Sequence, residues 1–216
     1  MGHANAGDAG LSCGGVRRLL ARRRPPSGAE QGPDWYGRAF STIKEYHAPY
    51  QESPYYFLWT VIVDRLRRDG VRSVLEVGCG SGQLAAFLLD KGIEHYTGFD
   101  FSAKAIELAE TIAPEGRFFV DDARTSNLYE EPHEALICTE ALEHIVEDLA
   151  VVERFPLGRR CLFSVPTYDS ASHVRFFGDE TAVSERYDPF FSELDVVSFP
   201  TVGGGQNALF LAEGYR

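Results

Sequence analysis

VLEVGCGSGQLAAFLLD, residues 74–90, decides the fold. An apolar run ending at Val77 reads as a buried strand, and Gln83–Asp90 carries helical periodicity. Between them Gly78, Gly80 and Gly82 allow a sharp turn and a close backbone approach to a ligand, in front of the free N–H groups of a helix N-terminus. A dinucleotide site needs G-x-G-x-x-G, but position 83 is Gln and the third glycine comes one residue early. The phosphate-cradling GxxxxGK[ST] pattern is absent. Glu76, two residues before the first glycine, is an awkward neighbour for a diphosphate and a suitable one for a cationic ligand.

Outward from this turn, short apolar runs alternate with helical stretches. Ser73–Val77 precedes Gln83–Asp90, and His95–Phe99 precedes Ser102–Thr111. Arg117–Val120 leads to a short Asp122–Tyr129 segment, and Ala135–Cys138 to a helix over Ala141–Phe155. Cys161–Val165 is followed by a loop, and Asp195–Phe199 and Asn207–Ala212 are joined through Gly203–Gly205. Upstream, Tyr55–Arg68 puts Tyr55, Leu58, Trp59, Ile62, Val63 and Leu66 on one helical face, with Gly70 as its stop. Such alternation predicts an α/β, doubly wound, mostly parallel sheet covered on both faces, closed by a C-terminal antiparallel hairpin at one edge.

Acids mark the ends of the next two strands. GFDFSAKAIELAE places Asp100 at a strand tip, where a carboxylate can accept both hydroxyls of a ribose, with Phe101 beside it to pack on a base. VDDAR places Asp121 and Asp122 after the third strand, where either carboxylate could accept from an exocyclic amine. Three acids around one crevice suit a nucleoside carrying positive charge rather than phosphate.

With EVGCGSG, GFDFS and VDDA in this order, the chain resembles the class I S-adenosylmethionine-dependent methyltransferases from about residue 34 to its end. The resemblance implies a seven-stranded Rossmann-like sheet with a reversed terminal hairpin and S-adenosylmethionine lying across the strand tips. Carried onto this sequence, it implies a cofactor set of Glu76 at the methionine end, Gly78, Cys79 and Gly80 beneath the cofactor, and Asp100 on the ribose. Phe101 would flank the adenine, Asp122 would read its amino group, and Ala123 and Thr139 would complete the wall.

A second constellation follows the fourth strand. In CTEALEHIVEDLAVVERF a helix would project Glu140, Glu143 and His144 from one face, and SVPTYDSASHVRFF can return His173 over the same crevice. Two carboxylates and two imidazoles suit a borderline divalent ion, with Mn, Fe, Co or Zn as plausible as Mg. The ExxEH element with its later histidine resembles the O-methyltransferases of ubiquinone biosynthesis and the small-RNA 2′-O-methyltransferases, which implies Glu140, Glu143, His144 and His173 as metal ligands. Three chemistries stand open at this stage. A metal would acidify an acceptor hydroxyl; His144, oriented by Glu140 or Glu143, would act as a general base without one; or the cluster is an ordinary surface pair.

Acceptor-side candidates are the aromatic residues Trp35, Tyr36, Tyr46, His47, Tyr50, Tyr55, Tyr56 and Trp59, with Tyr46, His47 and Tyr50 as pocket lining, or else burial of all of them against the sheet. Arg175 is available for an anionic group or for a salt bridge.

The 216 residues carry a net charge of −11, which argues against broad nucleic-acid binding. Residues 1–33 hold five arginines against Asp8 and Glu30, are rich in Gly, Ala and Pro, and read as a disordered leader with a short helix at Val16–Arg23, or as a targeting arm. Four scattered cysteines without a CxxC pair fit reduced thiols in a cytoplasmic protein. The expected function is S-adenosylmethionine-dependent O-methylation of a small hydroxylated metabolite with metal assistance. RNA 2′-O-methylation, N-methylation with His144 as base, and a non-catalytic cofactor-binding partner are the alternatives.

Overall fold

Seven strands form one sheet in the order β3-β2-β1-β4-β5-β7-β6. The computed structural model describes residues 26–201 and 207–216; the helix expected at Val16–Arg23 and the turn at Gly203–Gly205 lie outside the described residues. In chain order the elements are α1 (Pro33–Thr42), α2 (Tyr56–Arg68), β1 (Ser73–Val77), α3 (Gln83–Asp90), β2 (His95–Asp100), α4 (Ala103–Ile112) and β3 (Arg117–Val120). There follow β4 (Ala135–Thr139), α5 (Asp148–Val152), β5 (Arg160–Pro166), α6 (Glu180–Tyr187), β6 (Glu193–Pro200) and β7 (Ala208–Tyr215). The first five strands of the sheet order are parallel, and β7 inserts antiparallel between β5 and β6.

The residues explain the layering. Strands β1 and β4 are mostly apolar and buried from Val74 and Ala135 onward, as strands covered on both faces are, with the polar Glu76 and Thr139 near their C-terminal ends. Val74, Tyr96, Ala135 and Ile137 face a core with α2, α3 and α4. Their neighbours Leu75, Phe99, Leu136 and Phe163 face the opposite core, which holds Leu142, Val151, Phe155 and Tyr187. Gly70 takes φ +70 after α2, the left-handed conformation that ends a helix. No helix among the described residues is long and apolar enough to cross a membrane.

Three findings differ from the sequence reading. Pro33–Thr42 is a helix opened by proline at its first turn, and Glu180–Tyr187, read as loop, is a helix capped by the Asp179 carboxylate accepting from the Ala182 amide. The expected helix over Ala141–Phe155 does not form as one piece. Leu142–His144 makes a single 3₁₀ turn, and α5 begins only at Asp148. Glu140 itself sits at φ +50, outside helical geometry. The carbonyls that would propagate a helix are taken from elsewhere: Val174 N–H donates to the Glu143 carbonyl at 2.8 Å, and Arg175 donates to the carbonyls of Leu142, Ile145 and Val146.

Asp148, 0% exposed, anchors this rearrangement. It accepts from Arg186 Nε at 2.8 Å and Nη2 at 2.5 Å and from Tyr187 Oη at 2.8 Å, and lies 3.1 Å from Arg175 Nη2. Removing one member of a buried charge cluster strands the others. Asp148→Ala should therefore cost about 3–5 kcal/mol of stability, read as a lower urea midpoint; an unchanged midpoint would show that the cluster holds nothing together.

Candidate functional site

The strand order reverses between β1 and β4, which leaves a crevice at their C-terminal ends. A cavity of 440 Å³ occupies it. Every residue expected from the sequence to touch cofactor or metal lines this one space: Glu76, Gly78, Cys79, Gly80, Asp100, Phe101, Asp122, Ala123, Thr139, Glu140, Glu143, His144 and His173.

At its donor end, Gly78, Gly80 and Gly82 all have positive φ, so the turn requires glycine. Packing adds a second reason at two of them. A Cβ on Gly78 would lie 2.9 Å from the Ala141 Cβ, and one on Gly82 would lie 2.8 Å from the Ala109 Cα, so these glycines also let neighbouring elements close in. Asp100 is held by two backbone amides, Gly80 N–H to Oδ2 at 3.1 Å and Ser102 N–H to Oδ1 at 2.8 Å. Each oxygen keeps a further acceptor site for a ligand hydroxyl. Burial raises the Asp100 carboxyl to about 6. Glu76 is buried with the Tyr96 hydroxyl donating to Oε2, and burial raises it to about 8. Buried carboxylates without a cation partner are the complement of a positively charged ligand.

Asp122 is already engaged. Arg124 donates to it from its backbone amide at 2.9 Å, from Nε at 3.0 Å and from Nη2 at 2.8 Å, which holds the carboxyl below its usual range. Asp121 Oδ1 accepts from the Asp122 amide at 2.8 Å.

The other end collects the second constellation, built by two loops rather than by one helix face. Ligand atoms of Glu143, His144 and His173 lie within 4.8 Å of one another. His144 Nδ1 donates to the Ser172 carbonyl at 3.0 Å and His173 Nδ1 to the Tyr168 carbonyl at 2.9 Å. A carbonyl can only accept, so both Nε2 atoms carry lone pairs. His144 Nε2 stands 3.7 Å from Glu143 Oε1. Burial lowers His144 to about 4 and His173 below its usual range. Glu143 is 0% exposed, and neither carboxylate oxygen has a hydrogen-bond partner. Burial and the charge of Glu140 push its pKa well up. Glu140 stands apart from this trio. Its Oε1 accepts from Ser164 Oγ at 2.9 Å and its Oε2 from Tyr168 Oη at 3.4 Å, with burial raising it to about 7.

The aromatic expectation divides. Trp35, Tyr36, Tyr46, Tyr55 and Trp59 line the cavity. His47 and Tyr50 do not: the His47 imidazole bonds the Phe40 carbonyl, and Tyr50 stacks on Phe87 and donates to Asp90 at 2.7 Å. Tyr50 follows the helix it packs on, α3, away from the crevice. Arg175 is not free for an anion, because carbonyls and Asp148 consume its donors. Sequence reasoning named Tyr36 in the aromatic cluster without singling it out as lining, yet its ring meets both Phe101 at 5.2 Å and His144 at 5.8 Å. The same reasoning missed Tyr168 beside Glu140. It also placed Glu30 in a disordered leader, whereas Glu30 lines the cavity and accepts from Arg124 and from the Val146 amide.

Raised carboxyls have a consequence for stability. Between pH about 4.5 and 8, folded Glu76 keeps a proton that the unfolded chain has lost, so its contribution to stability falls as pH rises through that window. The unfolding free energy of Glu76→Gln, read from urea midpoints, should accordingly gain on wild type by up to roughly 1.4 kcal/mol per pH unit as pH goes from 5 to 8. Parallel curves would refute the raised pKa of Glu76.

Residues 74–155 match the family described as methyltransferase domain. The ubiquinone biosynthesis O-methyltransferase of Xylella fastidiosa is 35% identical over 97 residues, covering 43% of this chain. That match spans 39% of the relative's length. Among solved structures, the magnesium protoporphyrin IX methyltransferase of Synechocystis with bound SAM superposes with a TM-score of 0.66 at 18% identity, over 85% of this chain and 95% of that one. The methyltransferase domain of bacterial CtHen1-C does so at 0.58 and 17%, over 73% and 97%. Residues 74–155, from the glycine turn through Glu140, Glu143 and His144, thus match a methyltransferase domain, set on a seven-stranded sheet whose fold the methyltransferase structures share.

Proposed function

We propose that this protein transfers a methyl group from S-adenosylmethionine to a hydroxyl of a small acceptor, with a divalent ion at Glu143, His144 and His173. One observation carries the metal reading: a fully buried carboxylate, Glu143, leaves both oxygens unpartnered beside two imidazole lone pairs. An unpaired buried carboxylate costs several kcal/mol, and a dication is the partner that would repay it. Carbonyl-anchored Nδ1 atoms support the same reading, since metal-binding histidines are oriented through their other ring nitrogen. Glu140, whose charge Glu143 feels, lies outside the trio and would have to leave Ser164 and Tyr168 to serve as a fourth ligand.

S-adenosylmethionine supplies a methyl carbon made electrophilic by its sulfonium, and a divalent ion supplies Lewis acidity that lowers the pKa of a hydroxyl near it. The chain's own groups do the rest. Asp100, fixed for hydrogen bonding by two amides, puts negative charge near the donor, and Glu76 joins it on losing its proton beside the cationic sulfonium. Tyr36, wedged between Phe101 and His144, helps to keep water from the line of transfer. Without an ion, Glu140 near pKa 7 exchanges a proton at Oε2 close to neutrality, whereas His144 near 4 is the weaker base. The ubiquinone-type relatives support oxygen as the methylated atom.

Titration of Mn²⁺ into chelator-stripped protein loaded with S-adenosylhomocysteine tests the ion site. About one ion should bind, and Glu143→Gln or His173→Ala should weaken it at least tenfold, the usual scale for a lost ligand contact. Saturable S-adenosylhomocysteine binding with no Mn²⁺ binding would overturn it. For the donor end, Asp100→Ala should lower S-adenosylhomocysteine affinity by about 1.5–3 kcal/mol, as for a hydrogen bond to a charged group, measured by calorimetry; an unchanged affinity would remove Asp100 from the site.

A further inference from the structure

Residues 27–31 have no regular secondary structure, yet they are tied to both banks of the crevice. On the β5 side, Ser27 donates to Asp169 Oδ2 from its amide at 2.9 Å and from Oγ at 2.7 Å, and the Ala29 amide donates to the Ala171 carbonyl at 3.2 Å. Gly28 is pressed against the same loop so closely that a Cβ would fall 2.2 Å from the Ser170 carbonyl oxygen. On the β3 side, Glu30 Oε1 accepts from Arg124 Nη1 at 2.9 Å, beside Asp122. Its other oxygen accepts from the Val146 amide at 2.7 Å, two residues after His144. The tips of β3 and β5 are four strand positions apart in the sheet, about 19 Å at ordinary strand spacing. The segment therefore crosses over β1 and β4, where the crevice opens, and Glu30 and Gln31 form part of the cavity wall.

We propose that residues 27–31 are a strap that closes the cofactor crevice, and that Glu30 is a positioning residue joining the Asp122–Arg124 loop to the loop of Glu143 and His144. The proposal rests on the crevice being the S-adenosylmethionine site. The cofactor enters and its product leaves when the strap lifts, and while the strap is down the two loops keep their spacing. The five hydrogen bonds just given and one glycine contact hold it, none of them part of either hydrophobic core, so it can open while the sheet stays folded.

The test uses the full chain with Gly28→Val, which cannot seat against Ser170, and Glu30→Ala, which releases both loops. In free wild-type protein, hydrogen exchange should find the Ala29 and Val146 amides protected, and both variants should lose that protection while amides of β5 keep theirs. Stopped-flow measurement of S-adenosylhomocysteine should then show association and dissociation both faster, by about five- to tenfold, the worth of one or two such hydrogen bonds. Faster dissociation alone would mean that the segment is merely a contact, and would overturn the strap. Ala29 and Val146 amides exchanging freely in wild type, or unchanged rates in both variants, would also overturn it. Wild-type protein that binds no S-adenosylhomocysteine would overturn the cofactor reading along with it, whereas binding with unaltered rates in the variants sinks the strap alone.

Discussion

Arg175 and the buried Asp148 fix the geometry on which the site depends. Arg175 takes the carbonyls of Leu142, Ile145 and Val146, which a helix would have kept for itself, and Asp148 holds the guanidinium in place from behind. The loop of Glu143 and His144 is thereby pinned to the segment that carries His173. A helix over the same residues would have pointed Glu140, Glu143 and His144 along one face. The tight turn instead brings Glu143 and His144 to a histidine that follows a different strand. A guanidinium suits this task because its rigid fork can satisfy several carbonyls at once.

Around that loop the crevice stores unfavourable charge. Glu76, Asp100, Glu140 and Glu143 are all desolvated and all shifted upward by burial. No folding benefit follows from grouping four acids in one low-dielectric space, and each must be offset by a hydrogen bond, a proton or a ligand. At the donor end backbone amides and Tyr96 provide part of the offset. At the other end Glu140 has Ser164 and Tyr168, while the Glu143 oxygens have no hydrogen-bond partner and only His144 nearby at 3.7 Å. That gradient, from partly satisfied to unsatisfied, is the physical basis for proposing an organic cation at one end and a metal dication at the other. Stability given up in this way is what functional sites commonly cost the folds that carry them.

Much of the fold was legible because its signals are local. The strands β1 and β3 and the helix α3 fall at their expected boundaries, and β7 pairs antiparallel as the missing crossover helix implied. The candidate residues around the crevice were legible too, since a parallel sheet brings every strand tip to one edge. The errors share a cause. Helical periodicity in Ala141–Phe155 was real, but long-range donors from Arg175 and Val174 competed for its carbonyls. Aromatic density at Tyr46–Tyr56 could not say which rings face α3 and which face the cavity, because neighbouring residues in irregular backbone point in unrelated directions.

Residue types and spacings alone determined the doubly wound architecture, the glycine turn and the set of acids and imidazoles gathered at the strand tips, for those follow from period, turn chemistry and the edge rule of parallel sheets. Tertiary structure decided which of them meet. It set Glu140 with Ser164 and Tyr168, turned Asp122 to Arg124, closed Glu143, His144 and His173 into one cluster, and laid Glu30 across the opening. Apart from the local Asp122–Arg124 and Glu143–His144 pairs, those contacts join residues from 24 to 116 positions apart, and no local pattern encodes a contact that only the packed chain brings into reach.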